Sequence, residues 1–148
     1  MSSYQAHLYQ AQHNEGLLSE LMASLSYKDW LVTVAFYSAI HYVEAAFFNN
    51  PAIGHTDTSI PTDPNTGRWS DSPHNWRMSL LEKHYPKDVW KGFRSLYNES
   101  WVARYLVTQP GQRGIEVTTD AQTHWSDDEA RDFVNIDLSN IKNALGFS

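Results

Sequence analysis

The stretch WLVTVAFYSAIHYVEAAFF, residues 30–48, is the feature that most limits what this chain can fold into. It is apolar on most sides when read with the helical period, so it predicts a helix over about 28–48 that other elements must cover. The run is long enough to consider as a membrane span. However, it contains His41 and Glu44, and a charge near the centre of a bilayer is costly. We therefore expect a buried core helix and no membrane insertion.

The remaining apolar periodicity predicts an all-α protein in which the whole chain, 1–148, is a single domain. Each further helix has an apolar stripe or a clear start signal, such as Ser72-Pro73 or the capping sequence SDDE at 126–129. The expected architecture is an antiparallel helical bundle. The four further helices are predicted over about 4–25, from 72 to before Pro86, from Pro86 to about 107, and from 126 to about 145.

Two long polar segments separate these helices, at about 49–72 and about 108–125. Both are rich in Gly, Pro, Asn, Asp, Ser and Thr, which favour turns and loops. Long loops in a compact domain usually have a functional role or are mobile. Within the second loop, a short strand is considered at 115–118.

Charge and composition exclude several classes of function. The formal net charge of −6 argues against a general nucleic-acid coat, although it allows a local basic cleft. The absence of cysteine excludes disulfides, thiolate metal sites and cysteine nucleophiles. No motif of the serine hydrolases is present. The N-terminal region lacks an apolar signal core, so a cytoplasmic protein is expected.

The third helix carries the main candidate site, within SPHNWRMSLLEKHYP. His74, Arg77, Leu81 and His84 are spaced by three, four and three residues, which places them on one helical face. Two imidazoles and a guanidinium on one stripe could hold a phosphate, and one histidine could act as a general base or acid near neutral pH. Alternatively, the same residues form only the polar face of a packed helix.

The central helix adds His41 and Glu44, one turn apart. A polar group in so apolar a helix is costly unless it is paired, and Arg77 and Arg104 are the natural partners of Glu44. Such a pair could be a structural ion pair or part of a functional cluster in a cleft. A metal site formed by His41, Glu44 and His74 is a third reading, although no second carboxylate–histidine motif supports it, and no cofactor or metal is assigned.

The fourth helix contains Tyr97 and Arg104 in the segment FRSLYNESWVARYL, together with Ser100 and Trp101. These residues follow one another at helical steps and could extend the same polar cluster. Alternatively, the two rings belong to the core and keep only a polar tip in water.

Three segments together resemble a known family. They are DWLVTVAFYSAIHYVEAAF, HNWR and SLYNESWVARYL, within about residues 28–106. Their spacing and residue types are similar to those of small bacterial and archaeal HEPN-type helical domains. The resemblance implies an up-and-down bundle of four to five helices, usually a homodimer.

The resemblance also implies an RNA- or nucleotide-associated function. Many members are metal-independent ribonucleases of defence, toxin–antitoxin or RNA-processing systems, and others are binding modules without catalysis. In the ribonucleases four to six residues separate an arginine from the histidine that follows it, and Arg77 and His84 have six residues between them. On this reading His84 or His74 activates the 2′-hydroxyl and Arg77 holds the phosphate, supported by Tyr97 and Arg104. RNA, a nucleotide, an antitoxin or another protein is the expected partner.

The resemblance leaves a second function open, a non-enzymatic dimeric interaction module. In that case His41, Glu44, Arg77 and Arg104 form an internal polar network that holds the bundle together. A metal-dependent helical-bundle enzyme is the third alternative.

Overall fold

The structure, a computed structural model, describes residues 3–106 and 120–147. Most of this part of the chain is helical, and its one extended pairing is an isolated antiparallel bridge between Thr62 and Trp69. The all-α prediction is therefore confirmed for the described residues. The helices are α1 (Ser3–Ser24), α2 (Lys28–Phe48), α3 (Thr56–Ser59), α4 (Pro73–His84), α5 (Lys87–Tyr105), α6 (Ala121–His124), α7 (Asp127–Asp132), a π-helical segment (Phe133–Leu138) and α8 (Ser139–Leu145).

The five predicted helices are present, with ends within about two residues of their expected positions. The last of them is interrupted, because α7, the π segment and α8 follow one another without a break. The loop at 49–72 contains the one-turn helix α3, and the described end of the second loop contains α6. The strand considered at 115–118, and most of that loop, lie outside the described residues.

Helix α2 is the centre of the core, as its composition predicts. It packs against α1, α5, the π segment and α8. The helix is long and apolar enough to cross a membrane, but 72% of its most apolar 18-residue stretch is buried inside the protein. The helix is therefore covered by other helices. Its fully buried side chains include Leu31, Val32, Phe36, Val43 and Phe47.

Helix α5 and the π segment approach each other closely at Gly92. A Cβ atom at this position would lie 3.0 Å from the backbone oxygen of Asp137 and 3.3 Å from the side chain of Ile141. Beside this contact, Ser95 Oγ donates a 2.9 Å hydrogen bond to Asp137 Oδ2. Glycine is therefore needed here to let two backbones come together.

A buried lysine ties the start of α2 to α6 and α7. Lys28 Nζ donates to the backbone oxygens of Gln122 (3.1 Å) and Trp125 (2.9 Å), and it forms a 2.8 Å ion pair with Asp127. These contacts satisfy a cation whose side chain is only 4% exposed. The N-terminus of α2 is thus fixed against the beginning of the last helical segment.

Replacing Ser126 with alanine is expected to lower the free energy of unfolding by about 1 kcal/mol, and the melting temperature by roughly 2–4 °C. Ser126 Oγ accepts a hydrogen bond from the Glu129 backbone NH, and the Glu129 carboxylate accepts one from the Ser126 backbone NH. The alanine variant loses the first of these bonds at the start of α7. Chemical denaturation would measure the change. Ser126→Asp keeps an oxygen acceptor and should unfold like the unmodified protein, so equal losses in both variants would contradict this assignment.

Candidate functional site

Glu44 is the centre of a buried polar cluster beneath the loop at 49–72. It lies on α2, and its side chain is 2% exposed. Glu44 Oε1 accepts a 2.8 Å hydrogen bond from Arg77 Nε and another from the hydroxyl of Thr56, while the backbone NH of Thr56 donates to Oε2 at 3.1 Å. Burial opposes ionisation of this carboxyl, but Arg77 and the Thr56 hydrogen bonds outweigh it and lower the pKa of Glu44. Glu44 is thus a paired, charged carboxylate inside the protein.

The loop at 49–72 closes over this carboxylate through His55 and Thr56. His55 Nε2 lies 3.7 Å from Glu44 Oε2, and the His55 side chain is 30% exposed. Farther along, Ser59 Oγ accepts a 2.9 Å hydrogen bond from the indole NH of Trp76 on α4. The loop is therefore fixed to both α2 and α4.

Helix α4 begins where the sequence predicts, and this places Arg77 against Glu44. Ser72 caps the helix by accepting from the backbone NH of Asn75 (3.1 Å), and Pro73 is its first residue. Arg77 is one turn inside the helix, 7% exposed, and its Nη1 lies 3.0 Å from His74 Nδ1. A guanidinium can only donate, so His74 Nδ1 is the acceptor and the ring proton of neutral His74 is on Nε2.

His74 is held neutral by its surroundings. Burial lowers the pKa of His74 to about 4, with further contributions from Arg77 and Arg104. Its ring lies against those of Phe36 and Tyr97, each with a centroid distance of 5.4 Å. Near neutral pH, His74 therefore offers a hydrogen-bond donor at Nε2, while its one lone pair is already used by Arg77. This arrangement suits binding better than proton abstraction.

A second group of imidazoles lies on the other side of Glu44. His7 Nδ1 and His41 Nδ1 are 2.9 Å apart, so one ring donates to the other, and the His7 ring centroid is 5.2 Å from that of His55. Burial, reinforced by His7 and Arg77 and opposed by Glu44, lowers the pKa of His41. The ligand atoms of His7, Glu44 and His55 all lie within 4.8 Å of one another.

The structure brings together most of the predicted site residues but not His84. Arg77 pairs with Glu44, as the sequence indicates, and also donates to His74, whose ring packs against Tyr97. The charges of Arg77 and Glu44 both act on His41. Arg104 influences the pKa of His74 without pairing with Glu44. His84 is the last residue of α4 and is exposed. Residues seven apart on a helix are about 10 Å apart along its axis, which separates His84 from Arg77.

Sequence reasoning did not identify His7, His55 and Thr56. His7 is one of two histidines on a polar helix, and the other two are in a loop without periodicity. His55 precedes the short helix α3 and Thr56 begins it, and nothing in their local sequence indicates a contact with Glu44. The requirement that Glu44 be paired is the one sequence feature that could have suggested additional partners.

Helix α5 also has a line of three aromatic and two arginine side chains, which we call the α5 stripe. It consists of Trp90, Arg94, Tyr97, Trp101 and Arg104, spaced by four, three, four and three residues. Arg94 lies over the Trp90 ring at 5.4 Å, and Arg104 lies over the Trp101 ring at 5.9 Å. The stripe extends about 21 Å along the helix axis.

Two cavities adjoin the α5 stripe. The smaller, of about 90 Å³, is lined by residues that include His74, Arg94 and Tyr97. The larger, of about 340 Å³, lies between α2 and α5 and is lined by Arg104 and by two exposed rings of α2, Trp30 (59% exposed) and Tyr37 (41%).

Three buried polar atoms of α5 lack a hydrogen-bond partner in the described part of the chain. They are Asn98 Oδ1, Trp101 Nε1 and Arg104 Nη2. Unsatisfied polar groups are costly, so they indicate hydrogen-bonding capacity on α5 that a polar partner or water would satisfy.

Comparison of the chain with protein-family models, with curated proteins and with solved structures found no match.

Proposed function

We propose that this chain is an RNA-associated, HEPN-type antiparallel helical bundle that acts in the cytoplasm as a homodimer, and that it binds single-stranded RNA along the α5 stripe. The observation that carries the proposal is the combination of arginines and aromatic rings on one face of α5. Single-stranded nucleic acids are bound by such combinations, because cations contact the phosphates and rings stack on the bases.

The cavities support the same assignment. The larger cavity exceeds the volume of a nucleobase, and Trp30 and Tyr37 at its edge expose ring surface on which a base can stack. The smaller cavity is lined by both His74 and Arg94. A phosphate or a base edge at this position would find both a neutral donor and a cation.

Binding is better supported than cleavage by Arg77 and His84. Arg77 would have to leave the Glu44 carboxylate to hold a scissile phosphate, and His84 is at the far end of the helix. Should the protein cut RNA, His74 is our candidate histidine, because its ring packs against Tyr97 of the α5 stripe and the charge of Arg104 acts on it. A cleavage role of this kind would act in a defence or toxin–antitoxin setting, as the HEPN resemblance implies.

Replacing Arg94 or Trp30 with alanine is expected to weaken binding of a fluorescein-labelled single-stranded RNA about 10-fold. Both side chains are more than half exposed, so each variant should remain folded. Fluorescence anisotropy would give the dissociation constants. Across a salt series, Arg94→Ala should also reduce the slope of log affinity against log salt concentration by about 0.7, since one phosphate contact is lost.

Matched controls exist for both variants. Arg94 forms an exposed 3.2 Å ion pair with Glu82, and Arg131→Ala removes an arginine from a comparable exposed ion pair, with Asp128. Tyr9→Ala removes a 62% exposed ring from α1. Neither control should change RNA affinity. If the wild-type protein fails to bind RNA, or if the controls weaken binding as much as the test variants, the RNA proposal is wrong. A folded dimer without RNA affinity would instead favour the interaction module.

The same RNA incubated with and without EDTA separates binding from cutting. EDTA-resistant cleavage that His74→Gln abolishes and His84→Gln preserves would add a nuclease activity at His74. Cleavage lost only in His84→Gln would return the catalytic assignment to Arg77 and His84. Binding without cleavage is the result that we expect from the paired state of Arg77.

A further inference from the structure

Three metal-ligating side chains from three separate segments meet at the edge of the Glu44 cluster. His7 comes from α1, Glu44 from α2 and His55 from the loop before α3, and their ligand atoms are all within 4.8 Å of one another. The His55 Nε2 to Glu44 Oε2 distance is 3.7 Å. Ligand atoms around a tetrahedral zinc ion are about 3.3 Å apart, so small side-chain movements would close the remaining gap.

The carboxylate of Glu44 has one lone-pair position left for a metal ion, and this position is on the oxygen nearer to His55. An ionised carboxylate has about four lone-pair positions, two on each oxygen. Arg77 Nε and the Thr56 hydroxyl use those of Oε1, whereas Oε2 accepts from the Thr56 backbone NH. The remaining position belongs to Oε2, which is the oxygen that faces His55. Arg77, the nearest cation, is bonded to the opposite oxygen.

His41 is positioned to orient His7 as a ligand. The Nδ1 atoms of the two rings are 2.9 Å apart, so a proton on His7 Nδ1 can be donated to His41 Nδ1. In that tautomer His7 Nε2 carries a lone pair and can bind a metal ion. Metal-binding histidines commonly use their second nitrogen in this way, and such contacts fix the ring orientation.

We propose that His7, Glu44 and His55 form a binding site for one divalent transition-metal ion, with Zn²⁺ as the best match and His41 as the positioning residue. Two imidazole nitrogens and one carboxylate oxygen are a donor set that zinc accepts with a water molecule as fourth ligand. The partial exposure of His55 provides a path for the ion and a place for this water. Binding would link α1, α2 and the loop at 49–72.

The other ions fit this donor set less well. Calcium and magnesium prefer six or more oxygen ligands, and here only one carboxylate is available among two imidazoles. Copper and nickel favour square-planar or tetragonal nitrogen and oxygen ligands. Iron(II) can use two histidines and one carboxylate, so it is the principal competitor of zinc at this site.

Titration of the full chain with Zn²⁺ or Co²⁺ would test the proposal. The protein should be free of a histidine tag, treated with EDTA and dialysed before calorimetry with Zn²⁺ and absorbance spectroscopy with Co²⁺. We expect one ion per chain and a melting temperature that rises with Zn²⁺ concentration. The visible absorption bands of bound Co²⁺ should be intense, as four-coordinate Co²⁺ gives. His7→Ala and His55→Ala should each weaken binding at least 100-fold, and His41→Ala about 10–100-fold.

A matched histidine on the same helix provides the control. His13 is exposed on α1, so His13→Ala should bind Zn²⁺ like the unmodified protein. Circular dichroism would establish that each variant is folded. Absence of Zn²⁺ binding by the unmodified protein at millimolar concentration would overturn the proposal, and so would full affinity in folded His7→Ala and His55→Ala. The RNA-binding assay in EDTA is independent of this result, so the two proposals fail separately.

Discussion

Replacing Arg77 with alanine is expected to lower the free energy of unfolding by about 3–5 kcal/mol, and the melting temperature by roughly 10 °C. The reason is that the variant leaves the Glu44 carboxylate buried without its counterion. Thr56 would still donate two hydrogen bonds to Glu44, but these cannot replace a cation at 2.8 Å. Urea denaturation followed by circular dichroism would measure the loss.

Two control variants separate the cost of leaving Glu44 without its counterion from the cost of simply removing an arginine. Arg131→Ala breaks an exposed ion pair and should change stability by less than about 1 kcal/mol. The double variant Glu44→Met/Arg77→Met removes both charges and should recover much of the stability, because no unpaired charge remains buried. A near-neutral Arg77→Ala variant would contradict the buried network. A double variant as unstable as the single one would show that packing, and not the unpaired charge, is the dominant loss.

The sequence was sufficient to predict the helices and one pairing of the site because both depend on local or strongly constrained features. Apolar periodicity and the Ser72-Pro73 start signal predict the ends of the main helices to within about two residues of their positions in the structure. Glu44 in an apolar helix requires a cation, and the shared face of His74 and Arg77 supplies one. Antiparallel packing, the dimer and the HEPN assignment stay predictions.

The other members of the Glu44 cluster were not predicted, because their contacts join residues that are distant in sequence. His7 meets His41 across 34 residues, and Thr56 reaches Glu44 from a loop whose composition indicates only turns. The π segment was also not predicted, because the apolar stripe through 126–145 is compatible with an ordinary α-helix. Asp137, whose backbone oxygen faces Gly92, lies within this segment. Such features follow from tertiary packing, so no local pattern encodes them.

Lowering the pH from 7 to about 4.5 is expected to destabilise the protein by on the order of 2 kcal/mol through His74. Burial, with Arg77 and Arg104 nearby, lowers the pKa of His74 from 6.5 to about 4. Between these two values the unfolded chain binds a proton that the folded chain does not, so the free energy of unfolding falls as the pH falls. A fully buried imidazole with this shift would contribute roughly 3 kcal/mol, and the partial exposure of His74 reduces this value.

The pH dependence of the free energy of unfolding, measured in EDTA by urea denaturation, would test this assignment. His74→Gln retains an oxygen acceptor for Arg77 but cannot titrate, so its stability should fall less between pH 6.5 and pH 4.5. His41 remains in that variant, and its lowered pKa acts in the same direction, so part of the dependence should persist. Below pH 4.5 a further loss is expected as Glu44 becomes protonated, since its pKa is lowered in the folded state and its ion pair then disappears. A His74→Gln profile identical to that of the unmodified protein would mean that His74 is not the neutral acceptor of Arg77.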